Sequence, residues 1–317
     1  MAASAAIFVV SMALAARTQT ALQEAVERGM AGRSGAVVVA EVATGRLVAH
    51  HRLETAATRL AAPGSTVKPF LLLALLEAGK LEAHDSLPCR RRLEIQGRRM
   101  DCTHPAVAFP LDPVTALAYS CNAYFARMAL RVEPGALARA FERAGLVALC
   151  GLAAKETPGS IRLAASAEER QLQALGEAAI EVTPLGLLNA YRWLAALRRK
   201  ADPRLAPLFQ GLEAATEYGT AQLAQPKGLK VAGECATFTS QEALKAMAVT
   251  ARTWAVRHRG RHRDEGFDFC DTTHCQYLRP EGRTEGLRTA VESTEGELLW
   301  YEGTPAATFH HGHCGGM

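Results

Sequence analysis

The chain has 317 residues, of which 49% are hydrophobic and 21% charged. That balance suits a globular protein and excludes a disordered one, and the length allows two domains. A formal net charge of +4 is too mild to argue by itself for nucleic acid.

Ala2 to Ala16 is an apolar, small-residue run ending at Arg17. It is too short for a comfortable membrane span. It suits the apolar core of a secretory signal or the end of an anchor, although no Lys or Arg precedes it; the alternative is an Ala-rich first helix. The pattern predicts an amphipathic helix over Thr20 to Met30. A strand follows over Gly35 to Ala40, with a turn at Thr44-Gly45. In Ala62-Pro63-Gly64-Ser65-Thr66-Val67-Lys68-Pro69-Phe70 a turn runs into the apolar stretch Leu71 to Leu76, which reads as a buried helix. Cys89 and Cys102 bracket an Arg-rich excursion with Gln96-Gly97 at a hairpin-like centre. A disulfide or a metal pair would close it, the disulfide being favoured in an exported protein; two free thiols are the alternative. The chain has eight Cys and no C-x-x-C, which argues against a zinc ribbon. Helices are predicted over Ala136 to Gly145, Ala165 to Leu175 and Val182 to Leu197. Pro184 sits in the first turn of the last, and Ala201-Asp202-Pro203 ends it.

Ser65 stands at a helix start with Lys68 three residues on, sharing a face. A serine hydroxyl is a poor nucleophile at neutral pH. A lysine desolvated at a buried face can lose its proton and become the base that activates it. The plain alternative is a capping serine and a solvated lysine. Tyr119-Ser120-Cys121-Asn122 supplies a second motif inside an apolar segment. S-x-x-K followed by S-x-N resembles the penicillin-binding and serine β-lactamase group. Glu41 to Ala49 and Leu175 to Leu185 resemble flanking segments of penicillin-binding protein transpeptidases. The resemblance covers about 35 to 232 and implies a β-lactamase/transpeptidase-like α/β domain. It implies Ser65 as acyl nucleophile, Lys68 as base, and Ser120 and Asn122 as proton shuttle and substrate positioner, with no cofactor.

The family's third motif, K-T-G, is missing. Val231-Ala232-Gly233-Glu234-Cys235-Ala236-Thr237 occupies its place, with Glu for Lys. A carboxylate there is expected to repel the carboxylate of a peptide stem or of penicillin. Lys227 and Lys230 are candidate replacement cations.

The same residues open a second resemblance. Gly233-Glu234, Ser240 to Val249, Ala251 to Ala255, Phe267 to Gln276 and His313-Cys314-Gly315-Gly316 resemble the stage II sporulation protein D family, also called the amidase-enhancer or LytB family. It covers about 231 to 317 and implies a partial α+β domain, truncated at Met317. Members cleave peptidoglycan glycan strands or assist enzymes that do. A lytic transglycosylase can run on one acid of raised pKa. Thr239-Ser240-Gln241-Glu242 has the spacing of a capping box, so Glu242 has a structural role available and Glu234 is the expected general acid. Cys270, His274 and Cys275 offer three zinc ligands, with His262 or Cys314 as fourth; a disulfide or buried thiols are the alternatives. The basic run Arg257 to Arg263 reads as a solvated face, with anionic wall polymer second and nucleic acid last.

The expected organisation is therefore a signal-like segment and helix (1–30), a transpeptidase-like domain (31–230) and a truncated sporulation protein D-like domain (231–317). The implied protein remodels peptidoglycan in the cell envelope after export. Peptidoglycan, β-lactams and a cell-wall amidase are its implied partners, and nucleic acid is not. The competing expectation is a non-catalytic peptidoglycan-binding or amidase-activating protein with degenerate sites.

Overall fold

The structure is a computed structural model. It describes residues 19–31, 35–221, 231–234, 248–249, 251–253, 255–269, 285–301 and 303–305. The apolar run 2–16 and Lys227, Lys230, Glu242, Cys270, His274, Cys275 and Cys314 lie outside the described residues. Two compact units emerge, Met1–Cys235 and Ala236–Met317.

In the first unit, helix α1 (19–30) precedes the antiparallel pair β1 (Val37–Ala40) and β2 (Leu47–His51). Helix α2 (Leu53–Thr58) leads to a 3-10 turn, Gly64–Val67, which passes directly into α3 (Lys68–Glu77). Phe70, Leu71, Leu72, Leu73, Leu75 and Leu76 are all buried on α3. A helix apolar on every face belongs at a centre, and α3 packs against three helices introduced next. These are α4 (Pro113–Ala118), α5 (Asn122–Ala129) and α6 (Ala136–Arg143). Each buried Leu or Phe contributes about 1.5–3 kcal/mol relative to exposure.

Caps mark several starts. The Asp112 carboxylate accepts from Thr115 N at 2.7 Å and the Thr115 hydroxyl accepts from Asp112 N at 3.0 Å, a reciprocal capping box for α4. Ser166 caps α7 (Ala167–Ala174), and Thr183 caps α8 (Pro184–Arg198) with Pro184 in its first turn. Gln96 and Gly97, at φ 51° and 70°, form the tight turn between β3 (Glu94–Ile95) and β4 (Arg98–Arg99). Arg98 donates to the Glu177 carbonyl and carboxylate at 3.0 Å each, tying this hairpin to the loop after α7. β5 (Ser160–Ile161) pairs with β6 (Ile180–Glu181). A helix not expected from the sequence, α9 (Ala206–Glu217), packs on α3 and α4.

The expected Cys89–Cys102 disulfide is not formed. The two sulfurs are 3.6 Å apart and both cysteines are free thiols. A third thiol, Cys121, lies against both, at 3.4 Å from Cys89 and 3.7 Å from Cys102.

In the second unit, residues 251–253 and 255–257 are helical. The Arg252 guanidinium donates to the carbonyls of Thr294 (2.5 Å), Glu297 (3.2 Å) and Val291 (3.1 Å), closing the end of the helix Glu285–Ser293. The Thr253 hydroxyl donates to Val249 O at 2.7 Å and accepts from Leu299 N at 2.9 Å. A short hairpin pairs Trp300–Tyr301 with Thr304–Pro305. Arg257, Arg259, Arg261 and Arg263 are exposed, as a solvated basic face requires. His262 stacks on Phe267 and bonds Glu265 at 2.6 Å.

Candidate active site

The 3-10 turn sets the site's geometry. Side chains three apart eclipse on such a turn, so Ser65 and Lys68 leave the same face. Ser65 is half-buried, whereas Lys68 is fully buried. The turn is held from outside by two contacts. Gly64 N donates to Gly176 O at 3.1 Å, and the Tyr191 hydroxyl on α8 donates to Thr66 O at 2.9 Å. The Tyr191 ring also meets Phe70 edge-on, with centroids 5.5 Å apart.

Lys68 Nζ donates to Ser120 O at 2.7 Å, Ser120 Oγ at 3.0 Å and Asn122 Oδ1 at 2.7 Å. It also lies 5.6 Å from the centre of the Phe125 ring, a favourable place for a cation. Two of the three acceptors can only accept, while the Ser120 hydroxyl can do either. The geometry therefore satisfies both protonation states. An ammonium donates three bonds; a neutral amine donates two and takes the Ser120 proton on its lone pair. Ser120 owes its position to a left-handed backbone, φ 49°, between α4 and α5, a conformation uncommon outside glycine. Asn122 is fixed in turn by Nδ2, which donates to Met100 O at 3.1 Å.

The structure brings Lys68, Ser120 and Asn122 together on one side of the Ser65 turn. It also places Glu234 there, within the first unit. Both Glu234 carboxylate oxygens are shielded from solvent and lack a well-formed hydrogen bond, although they face the Ser120 hydroxyl. Burial pushes the Glu234 carboxyl up to about 8 against the pull of Lys68. Burial pushes the Lys68 amine down, partly countered by Glu234 and by Cys121 and Cys102. Both shifts favour uncharged partners. Glu234 also raises the phenol of Tyr191, behind the larger effect of burial. The expected repulsion of a substrate carboxylate therefore weakens, because Glu234 keeps its proton at neutral pH.

This has a stability consequence. Between 4.5 and about 8 the native chain holds a proton on Glu234 that the unfolded chain has released. Stability therefore falls as pH rises through that window. Glu234→Gln removes the titration. Its stability difference between the two ends of the window is expected to be smaller than wild type by about 4 kcal/mol, since one pKa unit corresponds to about 1.4 kcal/mol and the carboxyl moves from 4.5 to about 8. Urea unfolding at both pH values measures it; identical wild-type and variant slopes would refute it.

Residues 35–234 match the family model described as penicillin binding protein transpeptidase domain, and residues 230–301 match the model described as stage II sporulation protein. Among solved structures, the chain is similar to a peptidoglycan glycosyltransferase from Burkholderia ambifaria, at 19% identity over 69% of this chain and 78% of that one, TM-score 0.58. It is similar to the apo TP domain of penicillin-binding protein 3 from Burkholderia pseudomallei, at 17% identity over 69% and 73%, TM-score 0.58. The penicillin-binding protein PBP2 of Helicobacter pylori aligns at 16% identity over 67% and 52%, TM-score 0.58. At these identities the likeness establishes the fold. No curated protein matches the sequence. Among the described residues no helix is long and apolar enough to cross a membrane.

Proposed function

Because the chain belongs to the penicillin-binding protein transpeptidase family and carries a stage II sporulation protein segment behind that domain, we propose that it is a cell-envelope peptidoglycan protein whose first unit performs serine acyl transfer on peptide stems. The observation that supports this most is the buried Lys68 amine, bonded to Ser120 and Asn122 one turn from Ser65.

In this reading the Ser65 oxygen attacks the carbonyl carbon of a stem peptide or a β-lactam, and its proton passes to the neutral Lys68 amine. The tetrahedral adduct collapses and the C–N bond breaks. The departing nitrogen receives a proton from Lys68 through the Ser120 hydroxyl, leaving an ester on Ser65. Water or an acceptor amine then releases the acyl group. Protonated Glu234 supplies a neutral donor where relatives carry the K-T-G lysine. The test is intact mass after exposure to a fluorescent penicillin. One covalent adduct is expected on the wild-type chain and none on Ser65→Ala; an unlabelled wild type would sink the acyl-transfer reading.

Glu in place of Lys at the third motif favours a second reading, a non-catalytic module that docks on wall polymer. Retention on insoluble peptidoglycan without any change in muropeptides would support it.

A further inference from the structure

Behind the acylation residues, four ligand-type side chains converge. Cys89 Sγ, Cys102 Sγ, Cys121 Sγ and a His104 ring nitrogen all lie within 4.8 Å of one another. The sulfur pairs are separated by 3.6, 3.7 and 3.4 Å, and Cys89 Sγ is 3.4 Å from His104 Nε2. A tetrahedral zinc with Zn–S of about 2.3 Å and Zn–N of about 2.0 Å requires edges of about 3.8 Å between sulfurs and about 3.5 Å between sulfur and nitrogen. These four edges lie within a few tenths of an ångström of those lengths. A disulfide, at about 2.05 Å, fits none of the three sulfur pairs.

The surroundings agree. His104 Nδ1 lies 2.8 Å from Pro105 O. A carbonyl only accepts, so Nδ1 carries the proton and Nε2, aimed at the sulfurs, presents its lone pair. A backbone carbonyl that fixes the tautomer in this way is the usual partner of a metal-bound histidine. Backbone amides meet two of the sulfurs, Arg91 N on Cys89 and Ala123 N on Cys102, each at 3.3 Å. The His104 ring is also stacked against Tyr119, with centroids 5.6 Å apart. Three soft thiolates and one imidazole select zinc over magnesium or calcium. Four protein ligands leave no open position, so the metal would be structural.

We infer that Cys89, Cys102, His104 and Cys121 form a tetrahedral zinc site that pins the S-x-N loop in its working position. Cys121 is the middle residue of that motif. Holding its sulfur fixes Ser120 on one side, in its left-handed conformation, and Asn122 on the other. Cys102 anchors the excursion whose Met100 carbonyl receives the Asn122 amide. The inference goes beyond the acyl-transfer reading, and its test does not depend on acylation.

The test measures metal on the full chain, purified with zinc present and then exchanged to cobalt(II). One equivalent of zinc is expected at this site. Its X-ray absorption should show three sulfurs at about 2.3 Å and one nitrogen at about 2.0 Å, and cobalt should give tetrahedral ligand-field bands with thiolate charge transfer. Cys270→Ser/Cys275→Ser should keep that equivalent. His104→Ala should weaken zinc binding by at least tenfold. Measurement on the unaltered chain guards against a variant that fails to fold. The inference is overturned by a native chain that holds no zinc and alkylates at all three thiols. It is equally overturned by a disulfide mass within this cluster, or by zinc that survives in His104→Ala and disappears with Cys270 and Cys275.

Discussion

Replacing Lys68 with methionine should slow acylation of Ser65 by fluorescent penicillin by on the order of 10³-fold, the usual contribution of a positioned base, with the fold retained. Lys68 is fully buried, and methionine fills a similar length without the desolvated amine. The substitution orphans Ser120 O and Asn122 Oδ1, at about 1 kcal/mol or somewhat more each. It also removes an amine that burial disfavours. The two effects oppose, so stability should stay within about 2 kcal/mol of wild type. Labelling kinetics with a thermal melt separate rate from folding. A Lys68→Met chain that labels at the wild-type rate would remove the lysine from the mechanism.

Gly176→Ala carries the largest expected cost in stability. Gly176 has φ +71°, and a Cβ there would lie 2.6 Å from Gly64 N and closer still to its carbonyl oxygen. Backbone cannot step aside as a flexible side chain can. The left-handed conformation costs an alanine about 1 kcal/mol, and the collision adds more, for a total of roughly 3–5 kcal/mol. Any relief moves Gly64 and with it Ser65, so labelling should fall as well. Gly79 provides the control. Its φ is +62° with nothing within 4 Å of a built Cβ, so Gly79→Ala should lose only about 1 kcal/mol. Chemical denaturation of the two variants side by side checks this; equal losses would mean that the Gly64–Gly176 contact does not brace the turn.

The site was partly legible in the sequence because part of it is local. Ser65 and Lys68 share one turn, and Ser120 and Asn122 flank a single residue, so spacing alone carries their geometry. The same holds for α8, whose start is marked by Pro184 in its first turn. Glu234 was legible only as a sporulation-protein residue, because the acidic position after Gly233 fits that match as well. Only the folded chain brings its carboxylate to Lys68. The four-ligand cluster escaped for a related reason. Its cysteines come from two ends of a loop and from a helix start, at spacings that match no metal-binding signature, and a pairwise reading of Cys89 with Cys102 leaves out Cys121 and His104. The helix α9 was overlooked although Pro207 stands in its first turn, because Asp202-Pro203 was read only as the end of α8.

The two family matches overlap over residues 230–234, and Glu234 closes that overlap. A gene dissected at the first residue of the sporulation match would therefore yield a transpeptidase half without the Glu234 carboxyl beside Lys68. The seam for separating the halves falls after Cys235.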